Sequence, residues 1–85
     1  MRLDKYLKVS RIIKRRTVAS EAASLGRIQI NGKVAKPSSE VKEGDMLAIL
    51  MGGKHTGVKV TSVQEFTTKA AAAEMYEMIT RGDLE

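Results

Sequence analysis

Apolar and polar positions follow two different periods along this chain. From residue 2 to about residue 13, apolar side chains recur about every 3.6 residues, which predicts an amphipathic helix. Its apolar face would contain Leu3, Tyr6, Leu7 and Ile13. In Arg27-Ile28-Gln29-Ile30 polar and apolar residues instead alternate with a period of two, which predicts a strand.

A second helix is predicted from Thr17 to about Leu25. The Thr17 hydroxyl can cap its first turn, and Gly26 can adopt the left-handed conformation that ends many helices. Val18, Ala22 and Leu25 fall on one face, which we expect to pack. The small residues that would let another helix approach closely are Ala19, Ser20, Ala23 and Ser24.

The middle of the chain predicts a small antiparallel sheet. Asn31-Gly32 lies between two alternating segments and is typical of a type I′ hairpin turn. Further strands are predicted at residues 46–50 and 57–63, on either side of Gly52-Gly53.

The alanine-rich segment that follows predicts a final helix. Thr67 or Thr68 can cap this helix, which would extend to about Thr80 because alanine favours helices. Its packing face would contain Ala71, Met75, Met78 and Ile79. All 85 residues are therefore predicted to form one α+β domain, in which two N-terminal helices pack on a small antiparallel sheet and a strand and helix follow at residues 57–81.

Basic residues are concentrated in the N-terminal part. Residues 1–36 contain ten Lys or Arg and two acids, a net charge of +8, whereas residues 37–85 contain five and eight, a net charge of −3. A clustered positive charge attracts and holds a polyanion. The candidate contact residues are Arg2, Lys5, Lys8, Arg11, Lys14, Arg15, Arg16 and Thr17, with a second tier of Arg27, Lys33 and Lys36.

For three further residues we prefer a structural interpretation to a functional one. Asp4 can orient Arg2 or Lys8, but an acid in the first turn is also expected from the helix dipole, so Asp4 is left out of the contact set. Tyr6 is predicted to pack in the core and not to stack on a base. His55 is predicted to be a surface loop residue.

The sequence offers little for chemistry other than binding. The absence of cysteine excludes disulfides and thiolate zinc sites, and Gly52-Gly53-Lys54 lacks the spacing of a phosphate-binding loop. Nothing pairs a nucleophile with a base, so we predict no catalytic residue, metal or cofactor. The longest apolar run, residues 46–51, is too short for a membrane span, and no apolar secretory signal is evident, so we expect a cytoplasmic protein with no membrane partner.

Five ordered segments over about residues 1–51 resemble the RNA-binding domain named after ribosomal small-subunit protein S-four. They are Arg2-Leu3-Asp4-Lys5-Tyr6-Leu7, the basic elbow Lys14-Arg15-Arg16 with Thr17, Gly26-Arg27-Ile28-Gln29-Ile30-Asn31-Gly32, Lys36-Pro37-Ser38 and Val41-Lys42-Glu43-Gly44-Asp45. Each segment is a weak signal alone, but the ordered series is specific. The resemblance implies an RNA-binding protein.

Within that family, the chain length and residues 2–17 are most similar to members of bacterial ribosome-associated quality control. This resemblance implies binding to the large ribosomal subunit obstructed by peptidyl-tRNA, with contacts to ribosomal RNA and tRNA. It also implies a partner of the RqcH class, which directs C-terminal alanine tailing of stalled chains. We expect the protein itself to be a monomer and not an enzyme.

Two alternatives stay open. Heat-shock members of the same family recycle stalled large subunits, but they carry a longer basic C-terminal extension that this sequence lacks. A DNA-binding helix-turn-helix protein would also have two short helices and a basic elbow. Residues 17–25 offer no Arg, Asn or Gln to read base edges, which disfavours that class.

Overall fold

Three helices and one five-stranded antiparallel sheet make up the computed structural model, which describes residues 1–51, 53–64 and 69–79. The elements in chain order are α1 (Leu3–Val9), α2 (Arg16–Ser24), β1 (Ile28–Ile30), β2 (Lys33–Val34), β3 (Met46–Met51), β4 (Lys54–Val60), α3 (Lys69–Ala72) and β5 (Tyr76–Ile79). The strands lie in the order β2-β1-β3-β4-β5. The predicted α+β class is confirmed.

The β1–β2 hairpin forms at the predicted turn. Asn31 and Gly32 have φ angles of 51° and 83°, the left-handed values that a type I′ turn requires. The Asn31 side chain also accepts the Met46 backbone N–H at 2.9 Å and donates to an Asp45 carboxylate oxygen at 3.1 Å. The turn is therefore fixed both by its own backbone and by the start of β3.

The central strands supply one side of the core. Leu47 and Ile49 of β3 are buried on the same face of the sheet as Val58 of β4, which lies opposite Leu47. Leu3, Tyr6 and Leu7 of α1 belong to the same apolar cluster and supply its helical side. The predicted β3 and β4 strands are confirmed in place, although β4 spans Lys54–Val60 and not residues 57–63.

Helix α1 ends four residues earlier than predicted. Arg11 takes a left-handed conformation with φ 63°, which stops the helix after Val9. The Ile13 N–H then bonds the Leu7 carbonyl at 3.1 Å, so the chain turns back onto the helix end. Ile13 is buried as predicted, but it reaches the core from this turn and not from the helix.

Helix α2 begins one residue before the predicted cap. Its N-cap is Arg15, no side chain caps it, and Thr17 lies exposed in the first turn, so the predicted capping role of Thr17 is wrong. The C-terminal end is as predicted. Gly26 has φ 75°, and its N–H bonds the Ala23 carbonyl while Arg27 N–H bonds the Ala22 carbonyl, as in a Schellman motif.

The packed face of α2 also differs from the predicted one. Ala19, Ala22 and Ala23 are buried, whereas Val18 and Leu25 are exposed. Small residues face α1 because a short helix packed closely against another has room for methyl groups but not for branched side chains. The prediction for Ala22 is confirmed, and those for Val18 and Leu25 are wrong.

The last part of the chain is a short helix followed by a strand, so the predicted final helix is confirmed at Lys69–Ala72 and wrong at Tyr76–Ile79. Helix α3 spans only Lys69–Ala72, and β5 pairs with the free edge of β4. Sheet pairing and burial of Met75 outweigh the helix propensity of the alanine run, because tertiary contacts override weak local preferences. The predicted caps Thr67 and Thr68, and the predicted end near Thr80, lie outside the described residues.

We expect Gly32→Val to destabilise the domain by about 1–2 kcal/mol, because φ 83° is costly for a residue with a Cβ. A Cβ at this position would meet no neighbouring atom within 4 Å, so the cost is conformational and not steric. Urea denaturation measures it. The matched control is Gly32→Asn, since asparagine tolerates this conformation. Equal stability of the two variants would contradict the turn assignment.

Candidate nucleic-acid interface

The start of α1 is held by a turn of the chain that follows the hairpin. Leu3 N–H donates to the Ser39 carbonyl at 2.7 Å, and Asp4 N–H donates to the Pro37 carbonyl at 3.1 Å. These carbonyls satisfy two backbone donors that a helix start otherwise leaves open. Lys36 closes the same turn, since its N–H donates to Ser39 Oγ at 2.8 Å. The fold thus places Lys36 beside the start of α1.

Asp4 is a buried acid among the basic residues. Its exposed fraction is 3%. The Arg2 guanidinium donates from Nε to Oδ1 at 3.2 Å and from Nη2 to Oδ2 at 3.3 Å, which is a two-pronged ion pair. Arg16 Nη2 donates to Oδ1 at 3.4 Å, and Lys5 N–H donates to the same oxygen at 2.7 Å. The carboxylate therefore joins the start of α1 to the start of α2.

Asp4 orients Arg2, one of the two partners that the sequence suggests for it, and nothing here adds Asp4 itself to the predicted RNA contacts. The link to Arg16 was not predicted, since it spans twelve residues. No periodicity in the sequence connects positions that far apart. The only local signal was an acid two residues after an arginine at a helix start. Arg2 and Arg16 are exposed, but both are tied to a buried group.

The elbow between α1 and α2 presents basic side chains to solvent. Arg11, Lys14 and Arg15 are exposed, and none of their side chains bonds to another residue in the part of the chain that the structure describes. Lys8, in the last turn of α1, is also exposed, while Lys5 is half-buried. The elbow cations are therefore available to an external anion without breaking an internal ion pair.

The second-tier residues lie at two different places. Lys36 lies beside α1, as described above. Arg27 and Lys33 are exposed on the hairpin, where the Arg27 carbonyl accepts the Leu50 N–H and Lys33 pairs with Ile30. The sheet therefore positions Arg27 and Lys33, while the turn at residues 36–39 positions Lys36.

Tyr6 is confirmed as a core residue. Its hydroxyl donates to the Met75 carbonyl at 2.8 Å, which links α1 to the segment before β5. Burial of the phenol, with a smaller effect of the neighbouring Tyr76, raises the pKa of Tyr6 above its ordinary value. The side chain is neutral at physiological pH and fully occupied by the fold, so it does not present a ring to a base.

His55 is exposed as predicted, but it lies in β4 opposite Leu50 and not in a loop. Among residues 1–51, 53–64 and 69–79, no three His, Cys, Asp or Glu side chains come together as a metal site would require. Within the same residues, no helix has the length and apolar character needed to cross a bilayer.

The helix pair, the hairpin and the basic N-terminal surface correspond to a known class of domain. Residues 1–47 match the S4 domain, which is more than half of the chain. The chain therefore belongs to the S4 domain family.

Relatives within that family are similar over most of their length. The RQC P-site tRNA stabilizing factor of Listeria monocytogenes is 56% identical over 79 residues, covering 93% of this chain and 86% of that protein. The factor of the same name from Streptococcus pneumoniae is 54% identical over 85 residues, covering 100% and 97%. The trimeric structure of Vibrio cholerae Heat Shock Protein 15 superimposes with a TM-score of 0.86 at 25% identity, covering 99% of this chain and 86% of that one.

Reversing the charge of Arg16 should destabilise the domain, because Arg16→Glu would place a second carboxylate against the buried Asp4. We expect a loss of about 1–2 kcal/mol in the free energy of unfolding, discounted for the partial exposure of Arg16. Arg15→Glu makes the same charge change one position away at an exposed side chain, and should change stability by less than about 0.5 kcal/mol. Urea denaturation of both variants compares them, and similar stabilities would contradict the ion pair.

Proposed function

We propose that this protein binds ribosomal RNA of the obstructed large subunit and the peptidyl-tRNA in its P site, and so supports C-terminal alanine tailing in bacterial ribosome-associated quality control. The observation that carries this proposal is the 54–56% identity, over more than nine-tenths of the chain, to proteins named as RQC P-site tRNA stabilizing factors. The basic surface at the start of α1 and at the elbow supplies a physical means of holding RNA.

RNA of this kind is recognised mainly by its shape, through phosphates and 2′-hydroxyls. A rigid basic surface suits such a target because it matches the spacing of phosphates without reading a base sequence. We assign the primary contacts to Arg2, Lys5, Lys8, Arg11, Lys14, Arg15, Arg16 and Thr17. The second tier would extend this surface, with Arg27 and Lys33 along the hairpin and Lys36 beside the start of α1.

Thr17 has a different part in this proposal from the basic residues. It lies exposed in the first turn of α2, a helix whose start no side chain caps. Open backbone N–H groups and the helix dipole favour an anion at such a position. A phosphate held by the elbow cations would therefore gain backbone donors and the Thr17 hydroxyl together.

The proposed action is binding and not catalysis. A factor that binds one state of the tRNA more tightly than the others shifts the population toward that state. Peptide bond formation would be carried out by the ribosome, and delivery of alanine would depend on a partner of the RqcH class. We place the protein in the cytoplasm, acting as a monomeric single domain over residues 1–85.

Two alternatives are weaker. Similarity to Vibrio cholerae Heat Shock Protein 15 favours a large-subunit recycling factor, but its 25% identity is less than half that of the tRNA stabilizing factors. A DNA-binding helix-turn-helix role would require α2 to enter a groove. Its middle and end contain Ala, Ser and Val, with Glu21 as the charged residue, which does not suit a groove lined by phosphates.

Substitutions in the elbow test the proposal well, because the basic side chains of Lys14 and Arg15 bind no other described residue. Their removal should therefore change RNA binding and not the fold. We expect Lys14→Gln combined with Arg15→Gln to weaken association with large subunits by at least about tenfold, since two phosphate contacts are lost. Sedimentation through sucrose gradients measures association. Alanine tailing of a stalled reporter, in cells lacking the native copy, should fall with it.

The matched control is Lys42→Gln combined with Lys59→Gln. Both lysines are exposed, neither belongs to the candidate surface, and the control also lowers the net charge from +5 to +3. It should associate with subunits and support tailing as the unaltered protein does. If the elbow variant folds and still supports full association and tailing, the binding surface has been misplaced. If both variants fail equally, net charge and not the elbow governs binding.

A further inference from the structure

Asp4 combines two properties that oppose each other in an RNA-binding surface. Its negative charge reduces the attraction of the surrounding residues for phosphate. Yet its carboxylate is almost fully buried and accepts bonds from Arg2, Arg16 and the Lys5 N–H. An acid at this place lowers the local charge but fixes the arrangement of two guanidinium groups.

Both arginines keep donors that face away from Asp4. A guanidinium has five N–H donors, and the contacts to Asp4 use Nε and Nη2 of Arg2 and Nη2 of Arg16. The Arg2 and Arg16 side chains are 54% and 44% exposed. The remaining donors of each group are therefore accessible to an external phosphate while the ion pairs stay in place.

Holding the two groups in advance should favour phosphate binding. Two neighbouring guanidinium groups repel each other, and a free arginine side chain loses rotamer freedom when it binds. The carboxylate between them compensates the repulsion and orders both side chains before RNA arrives. The conformational entropy of these side chains is then lost on folding and not on binding, which raises the affinity for RNA.

We propose that Asp4 is a positioning residue that holds Arg2 and Arg16 as a paired clamp for one phosphate of the bound RNA. This inference rests on the proposed RNA-binding function and adds to it a residue that does not itself touch RNA. It predicts that removing the negative charge of Asp4 weakens RNA binding, whereas a purely electrostatic effect would strengthen it.

The test variant is Asp4→Asn, which keeps the shape of the side chain and raises the net charge from +5 to +6. If charge alone governed affinity, binding to purified large ribosomal subunits would tighten. Positioning predicts instead that binding weakens by about tenfold, since both arginines lose their fixed orientation. The matched control is Glu21→Gln, an exposed position on α2 that also gives +6, and it should bind as tightly as the unaltered protein or slightly more tightly.

A second variant separates positioning from loss of structure. Arg2→Lys combined with Arg16→Lys keeps both charges but removes the planar forks. It should bind as weakly as Asp4→Asn, and addition of Asp4→Asn to it should cause little further loss. Melting curves identify any variant that does not fold. Folded Asp4→Asn protein that binds as tightly as Glu21→Gln would overturn the proposal.

A measurement on the unaltered protein keeps the proposal testable if Asp4→Asn does not fold. NMR of the arginine Nε–H groups should show restricted motion for Arg2 and Arg16 in the free protein and averaged motion for Arg15. Equal mobility of all three would also overturn the proposal. Failure of the unaltered protein to bind subunits would instead refute the proposed function, which the clamp experiments do not.

Discussion

The carboxylate of Asp4 lies inside the domain, and its position constrains everything around it. A buried carboxylate is costly unless opposite charges and hydrogen-bond donors surround it. Arg2, Arg16 and the Lys5 N–H supply those partners, and Asp4 N–H in turn donates to Pro37. One residue therefore joins α1, α2 and the turn that follows the hairpin. The geometry of the candidate RNA surface and the stability of the N-terminal half depend on the same few bonds.

The rest of the fold keeps this arrangement rigid. The sheet supports α1 through Leu47, Ile49 and Val58, which share its apolar cluster. At the other end, the Met75 carbonyl accepts bonds from the Tyr6 hydroxyl and from the N–H groups of Thr61 and Ser62. The C-terminal segment is thereby linked directly to the helix that carries the first basic residues. The basic residues divide accordingly into Arg2 and Arg16, which are tied to the fold, and the elbow cations, which are not.

Local chemistry made part of this fold predictable from sequence. Asn31-Gly32 specifies its own turn because both residues tolerate positive φ, and Gly26 ends α2 for the same reason. The end of α1 was missed because Arg11 adopts a left-handed conformation that arginine rarely takes, and nothing in its neighbours signals it. The final helix was misjudged because the edge of β4 recruits Tyr76–Ile79, an effect of tertiary pairing that a local alanine pattern does not contain.

The candidate site was likewise predictable from the sequence only in part. Charge asymmetry alone identified the basic residues of α1 and the elbow, since clustered charge is visible in the sequence. It did not show which of these residues have internal partners. Arg2 and Arg16 are paired with Asp4, whereas Lys14 and Arg15 have no internal partner within the described residues. That distinction depends on Arg16 meeting Asp4 in space, twelve residues away in the chain. Substitutions at Lys14 and Arg15 should therefore affect RNA binding alone, whereas substitutions at Arg2 and Arg16 should also affect folding.

The central claim is that residues 2–16 bind RNA by neutralising phosphates, and the salt dependence of the affinity tests it most directly. Titration of purified large ribosomal subunits at several salt concentrations gives the slope of log K against log salt. If four to six of these residues meet phosphates, the slope should be roughly −3 to −5, at about 0.7 to 0.9 per contact. A slope near zero would contradict the account, because it would mean that the basic surface contributes little to the affinity.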